Sequence, residues 1–260
     1  MSTTLQALGL SKSYNDVLIV DHVDFSAEAG RITVIVGPNG AGKTTLFNCL
    51  SGVEPIDAGV VLHRGDDVTG WSPDALSRRG LARTFQRSSV FPTLTVSDNL
   101  RVAAENHGRR GILRGVVGMR DPGRRRAVRT VRTVLAELGL SAIADVRAAV
   151  LPSGTLRLVE LGRALCGQPD TLLLDEPASG LDDAETEEFH QLLHRLAARE
   201  LAVVMVEHDL ELVDETADVV YVMDAGRVVA VGPPGDVLGR SDVQARLFGH
   251  LIDRPLDQAP

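Results

Sequence analysis

The sequence predicts an α/β fold with a mostly parallel sheet, and three observations predict it. Three near-continuous apolar runs, "RITVIVG" (31–37), "TLLLDEP" (171–177) and "LAVVMVEH" (201–208), read as strands covered on both faces. Helical patterns lie between them, the alternation expected of a parallel sheet. From about residue 87 to residue 165 strand signals are weak and helical ones dominate, so this stretch reads as a helical lobe inserted into the α/β lobe.

The first strand runs directly into "GPNGAGKTT", which fits G-x-x-x-x-G-K-[ST] with Gly37, Gly42, Lys43 and Thr44 at the fixed positions. Pro38, Asn39, Gly40 and Ala41 fill the loop, and Thr45 follows it. Glycines let the backbone fold tightly, so that successive N–H groups ring a phosphate chain. Lys43 brings positive charge to the β- and γ-phosphates, and Thr44 offers a hydroxyl to Mg²⁺. A strand before the motif and a helical pattern after it predict a nucleoside triphosphate site. Cys49, among Leu46, Phe47 and Leu50, belongs to the core face of that helix.

In the helical stretch, arginines crowd residues 101–132 and only Glu105 and Asp121 oppose them. Such a run reads as a solvated helical face, with a surface for acidic lipid or an acidic partner as the sharper reading. Val128, Val131, Leu135 and Leu138 then recur at helical spacing and mark renewed packing. "VLPSGTLRLVELGRAL" (150–165) places Pro152 to start a helix, with the N–H groups of Ser153, Gly154 and Thr155 free to meet an anion.

Asp175 ends the second strand, where a carboxylate holds Mg²⁺ through water, and Glu176 beside it can polarise an attacking water. Asp182 and Asp183 are cap candidates for the helix in "DDAETEEFHQLLHRLAARE". His208 ends the third strand, and strand order should bring it near the γ-phosphate. "VVYVMDAGRVVAVG" reads as a hairpin turning at residues 224–227.

Composition narrows the class. The chain has 260 residues, 44% hydrophobic and 24% charged, enough for one large unit or two tightly joined lobes. Its net charge of −8 argues against general nucleic-acid binding. Two cysteines cannot form a disulfide framework, so a reducing cytosol is expected. "MSTTLQALGL" does not read as a signal peptide, and no run approaches the ~18 apolar residues that span a bilayer.

With these residues in place, the chain from about Leu5 to Leu247 resembles the ATP-binding subunits of ABC transporters. The resemblance implies a P-loop NTPase core with a mostly parallel sheet, an N-terminal antiparallel β region and an inserted helical subdomain. It implies one domain over residues 1–260, with the α/β lobe at about 1–86 and 166–260 and the helical subdomain at about 87–165. Tyr14 in "SKSYND" would stack on adenine. Gln86 in "ARTFQ" would touch Mg²⁺ and link the nucleotide site to a membrane partner. Glu176 would be the catalytic base and His208 the γ-phosphate sensor, while Asp182 in "SGLDD" would cross to a second ATPase chain. ATP and Mg²⁺ are the implied cofactors. The implied partners are membrane permease subunits and a second ATPase chain, the same or a sister. No nucleic acid and no direct contact with the transported solute are implied, and the chain would sit on the cytoplasmic face of the cell membrane.

"GPNGAGKTTLFNCLSG", "GLARTFQ", "FPTLTVSDNL" and "GRVVAVGPPGDVL" resemble the ATPases of branched-chain (hydrophobic) amino acid importers. ATPases for amide or urea uptake and lipopolysaccharide export share most of these words. Soluble ABC-type ATPases are a further alternative, but they usually fuse two ATPase units or carry long coiled coils, and this chain shows neither. One departure stands out. In place of the family's "LSGGQ" loop, which meets the γ-phosphate held by the partner chain, this sequence has "LPSGT". Pro152 has neither hydroxyl nor N–H, so Ser153, with Gly154 after it, is expected to supply the contact one position later.

Overall fold

Residues 2–84, 90–106 and 122–252 are described by the computed structural model. The N-terminal part is an antiparallel sheet of β1 (Thr3–Tyr14), β2 (Val17–Glu28), β4 (Ala58–His63) and β5 (Asp66–Asp67), in the order β2-β1-β4-β5. Asn15 and Asp16, both at positive φ (49° and 63°), close the β1–β2 hairpin in two residues. Left-handed pairs of this kind match the twist of the strands they join.

The second sheet contains β3 (Ile32–Val36), β6 (Leu81–Arg83), β7 (Thr171–Asp175), β8 (Ala202–Val206), β9 (Val219–Asp224) and β10 (Arg227–Gly232). Its order is β10-β9-β3-β8-β7-β6, parallel except for β10, which pairs antiparallel with β9. The three apolar runs are therefore neighbours, β3-β8-β7, and every residue of those strands is buried. Parallel strands with both faces covered leave no polar alternation to see. The predicted hairpin is β9–β10, turned by Ala225 and Gly226 at positive φ. The edge strand β6, three residues long, has no counterpart among the predicted strands.

Helices cover both faces. They are α1 (Lys43–Leu50), α2 (Pro73–Arg79), α3 (Val96–Asn106), α4 (Pro122–Glu137), α5 (Ser153–Leu165), α6 (Asp183–Ala197), α7 (Leu210–Thr216), α8 (Pro234–Leu238) and α9 (Ser241–Ile252). Alternate residues of β7 serve two cores. Leu172 and Leu174 join Leu100 of α3, Leu135 of α4, Leu161 of α5 and Leu193 of α6. Leu173 faces the other way, onto Leu46, Phe47 and Leu50 of α1 and Leu5, Leu10 and Phe25 of the N-terminal sheet. The helices α3, α4 and α5 thus share one core with the parallel sheet.

Two local expectations are corrected. Val128 is 46% exposed, and Ala127 and Val134 take its place beside Val131, Leu135 and Leu138. The arginines of α4 occupy the exposed face instead. Pro152 is the N-cap of α5, so the first helical residue is Ser153. The cap of α6 is Asp182, in a full capping box with Glu185. No helix among the described residues is long and apolar enough to cross a membrane.

Candidate nucleotide site

The loop after β3 emerges at the middle of the parallel sheet and turns into α1. Gly37 has φ 155°, and a Cβ there would lie 2.2 Å from the Met223 carbonyl oxygen. Gly42 has φ 94°, and its Cβ would lie 2.5 Å from the Ile19 carbonyl oxygen. No side chain fits at either position. The β9–β10 turn fastens the loop from behind. The Gly226 N–H donates to the Ala41 carbonyl at 3.1 Å, and the Gly226 carbonyl accepts the Asp21 N–H at 2.9 Å. Pro38 and Thr45 are half-buried, while Asn39, Gly40 and Thr44 are exposed.

Helix α1 starts at Lys43 behind a left-handed Gly42 that offers no side-chain cap. Its first-turn N–H groups therefore face outward with the positive end of the helix dipole, an arrangement that receives phosphate. The Lys43 Nζ donates to the carbonyls of Gly37 (2.7 Å) and Pro38 (3.0 Å), folded along the loop. Burial holds the Lys43 pKa below the usual lysine range, and the Glu176 charge acts against that shift.

Two strands away, β7 delivers Asp175. Its side chain is 3% exposed. Oδ2 accepts from Arg83 Nη2 at 3.1 Å, while Oδ1 is buried with no hydrogen-bond partner. Burial raises the Asp175 pKa, and the Arg83 charge opposes it. A buried carboxylate oxygen left over in this way suits a hard divalent cation or a water bound to one.

Glu176 is half-buried and has φ 46°, an uncommon conformation for a residue with a side chain. Its N–H donates to the Val206 carbonyl at 3.1 Å. Arg157 of α5 donates through Nη1 to the carbonyls of Glu176 (2.9 Å) and Pro177 (2.7 Å). This clamp holds the backbone that carries the Glu176 side chain, and no local sequence pattern announces it beyond an arginine one turn after Ser153.

His208 follows β8, with its side chain 65% exposed at the mouth of the sheet. The preceding Glu207 is buried, and its Oε1 accepts the Ala178 N–H at 3.2 Å. Burial pushes the Glu207 pKa up. A carboxyl whose folded pKa is raised favours folding below its ordinary value of 4.5, and that advantage is lost as pH rises through the folded pKa. Glu207→Gln, which keeps an acceptor for Ala178, is expected to melt with wild type in acid and above it at neutral pH. Melting temperatures across that range check this.

Ser153, Arg157, Asp175 and Glu176 line one cavity of about 430 Å³. Ser153 is exposed, whereas Gly154 is buried against Glu185. A Cβ on Gly154 would lie 2.5 Å from Glu185 Oε1. That carboxylate accepts the Asp182 N–H at 3.2 Å, and Asp182 Oδ1 accepts the Glu185 N–H at 2.8 Å. Gly154→Ala is expected to displace the flexible end of the Glu185 side chain and open the capping box, a loss of about 1 kcal/mol that the gain of roughly 1 kcal/mol of Ala over Gly in a helix offsets. Tm should therefore stay within about 2 °C of wild type, while hydrogen exchange at the Glu185 N–H reports the opened box.

Tyr14 ends β1, is 42% exposed, and has Lys12 Nζ 5.4 Å from its ring centroid. Gln86 lies outside the described residues.

The ABC transporter family matches residues 20–179, from within β2 through the loop and past Glu176 to Ser179. The high-affinity branched-chain amino acid transport ATP-binding protein LivG of Escherichia coli K12 is 34% identical over 94% of this chain and 97% of its own length. BraF of Pseudomonas aeruginosa, which carries the same description, is 33% identical over 94% and 97%. A crystal structure of a nucleotide-free ATP-binding cassette from an ABC transporter superposes with a TM-score of 0.83 at 29% identity, covering 95% of this chain and 99% of that one. A phosphate loop, an acidic strand end and a strand-end histidine on neighbouring strands, in a chain matched over nearly its whole length, place this protein in the ABC transporter ATP-binding family.

Proposed function

We propose that the chain is the ATP-hydrolysing subunit of an importer, energising uptake of branched-chain or other hydrophobic amino acids through a membrane permease. The observation that carries the reading is convergence. Lys43, Asp175 and Glu176, and His208 stand at the same ends of the three neighbouring strands β3, β7 and β8. The likeness to LivG and BraF supports the choice of solute.

In this reading the loop from Gly37 to Thr45 and Lys43 hold the phosphates of ATP, and Tyr14 stacks on the adenine. Thr44, Gln86 and Asp175 hold Mg²⁺, which neutralises phosphate charge when bound. Glu176 orients the attacking water, and His208 meets the γ-phosphate. Ser153, Gly154 and Asp182 face the ATP of a second ATPase chain, so two chains enclose each nucleotide. The α/β lobe (about 1–86 and 166–260) binds ATP, and the helical subdomain (about 87–165) carries the surface for the partner ATP. The pair sits on the cytoplasmic face of the membrane.

Reconstitution with the permease subunits in proteoliposomes tests this. ATP-dependent uptake of labelled leucine supports the reading; ATP-dependent uptake of urea alone overturns the choice of solute.

The permease has a candidate seat. Ser77 and Arg78 of α2, Arg83 of β6, Thr84, Ala103 of α3 and Arg163 of α5 line a groove of about 320 Å³, and Thr84 is two residues before Gln86 in the sequence. Cysteines at Ser77 and Arg78 are expected to crosslink to the permease in the assembled complex. Crosslinks that reach only the other ATPase chain would place the docking surface elsewhere.

A further inference from the structure

The side chain of Arg83 joins two elements that the nucleotide reading uses separately. Its Nη1 donates to Asn48 Oδ1 at 2.8 Å and to Ser51 Oγ at 2.6 Å. Its Nη2 donates to Asp175 Oδ2 at 3.1 Å. The guanidinium carbon lies 4.8 Å from the centroid of the Phe47 ring. Phe47 and Asn48 belong to α1, and Ser51 is its C-cap. One planar group therefore spans from the far end of the phosphate-loop helix to the end of β7.

Both side chains of the ion pair are buried, Arg83 at 9% and Asp175 at 3% exposure. A buried ion pair is weak evidence for stability, because removing both charges from water offsets most of their attraction. What a guanidinium fork adds is geometry, since its donors are fixed in one plane. Here the fixed plane sets the orientation of Asp175. Oδ2 is taken by Arg83, and Oδ1, buried without a partner, is the oxygen left for a metal or its water. Thr44, the other described metal candidate, sits on α1, whose opposite end the same guanidinium grips.

We propose that Arg83 is a positioning residue for the Mg²⁺ of the nucleotide site, holding the Asp175 carboxylate at a set orientation and distance from α1. This rests on the reading that Asp175 serves Mg²⁺. Arg83 and Ser51 also line the groove assigned to the permease, so the clamp stands between that surface and the metal.

The test is ADP binding to the purified full-length chain by calorimetry, with Mg²⁺ and with EDTA. Wild type is expected to bind ADP more tightly with Mg²⁺, and Asp175→Asn to lose that gain. Arg83→Gln is expected to reduce the Mg²⁺-dependent gain about tenfold, in line with the loss of a residue that orients a metal ligand. Its affinity for ADP in EDTA should stay within about twofold of wild type, since α1 still presents its N–H groups. Arg83→Lys, which keeps charge without the fork, should recover part of the gain. If Arg83→Gln does not fold, Ser51→Ala removes one anchor of the fork with no change of charge, and a smaller loss in the same direction is expected. A lowered Tm with a full Mg²⁺ gain, in Arg83→Gln or in Ser51→Ala, makes the clamp merely structural and overturns the inference. A wild type with no Mg²⁺ gain overturns the reading of Asp175 itself, and this inference with it.

Discussion

Glu176→Gln is expected to bind ATP as wild type does and to lose turnover by about 10²–10⁴-fold, the usual worth of one general base. The groups proposed to hold phosphate lie on other elements. Lys43 and the first-turn N–H groups belong to the loop and α1, and none of them bonds to the Glu176 side chain. The backbone of Glu176 is fixed independently of its carboxylate, by the Val206 carbonyl on one side and the Arg157 guanidinium on the other. Gln keeps the size of Glu and its backbone contacts, so the substitution removes charge and basicity without moving the chain. Steady-state phosphate release by the assembled transporter, beside nucleotide binding, separates the two effects. Release within about threefold of wild type would reject Glu176 as the base.

Those supports show what a sequence exposes and what it hides. The strands β3, β7 and β8 were legible because burial on both faces requires unbroken apolar runs. The loop was legible because phosphate binding needs glycines at set intervals, and Gly37 and Gly42 now show steric reasons for theirs. Asp182 and Glu185 were within reach as a cap three residues apart. Each of these signals is local.

Arg83 and Arg157 were not legible in the same way. The acceptors of Arg83 are 35, 32 and 92 residues away in sequence, and those of Arg157 are 19 and 20 away. No periodicity records such a contact. The edge strand β6 is too short to show a pattern, and it exists because β7 offers it a free edge. Val128 failed for a related reason. Helical spacing identifies an apolar stripe, but which neighbours complete it depends on the helices packed alongside, and Ala127 and Val134 fit there better.

Ser153→Ala is the second substitution expected to act strongly, lowering turnover of the assembled complex by about ten- to a hundredfold. The N-cap position of α5 is held by Pro152, which has no hydroxyl and makes no side-chain cap. Ser153 is therefore the first helical residue, outside the position from which a serine caps a helix. It is exposed, and its hydroxyl has no hydrogen-bond partner among the described residues. The first turn of α5 also carries no acidic residue, so nothing on the helix itself offsets its positive end. The Glu185 carboxylate of α6 lies against Gly154 in that turn, so the group proposed to meet the phosphate of the partner chain's ATP is the exposed Ser153 hydroxyl. A hydrogen bond to a charged group is worth about 1.5–3 kcal/mol. If it is made more fully in the transition state than before it, its loss slows hydrolysis by the stated factor. Thermal unfolding supplies the control. With no cap to lose, Ser153→Ala should melt within about 1 °C of wild type, because an exposed substitution away from special contacts changes stability little. Turnover has to be measured with both ATPase chains and the permease present, since the proposed contact is one between chains. A variant that melts lower and hydrolyses ATP at the wild-type rate would assign Ser153 to the stability of α5 and remove it from the partner's site.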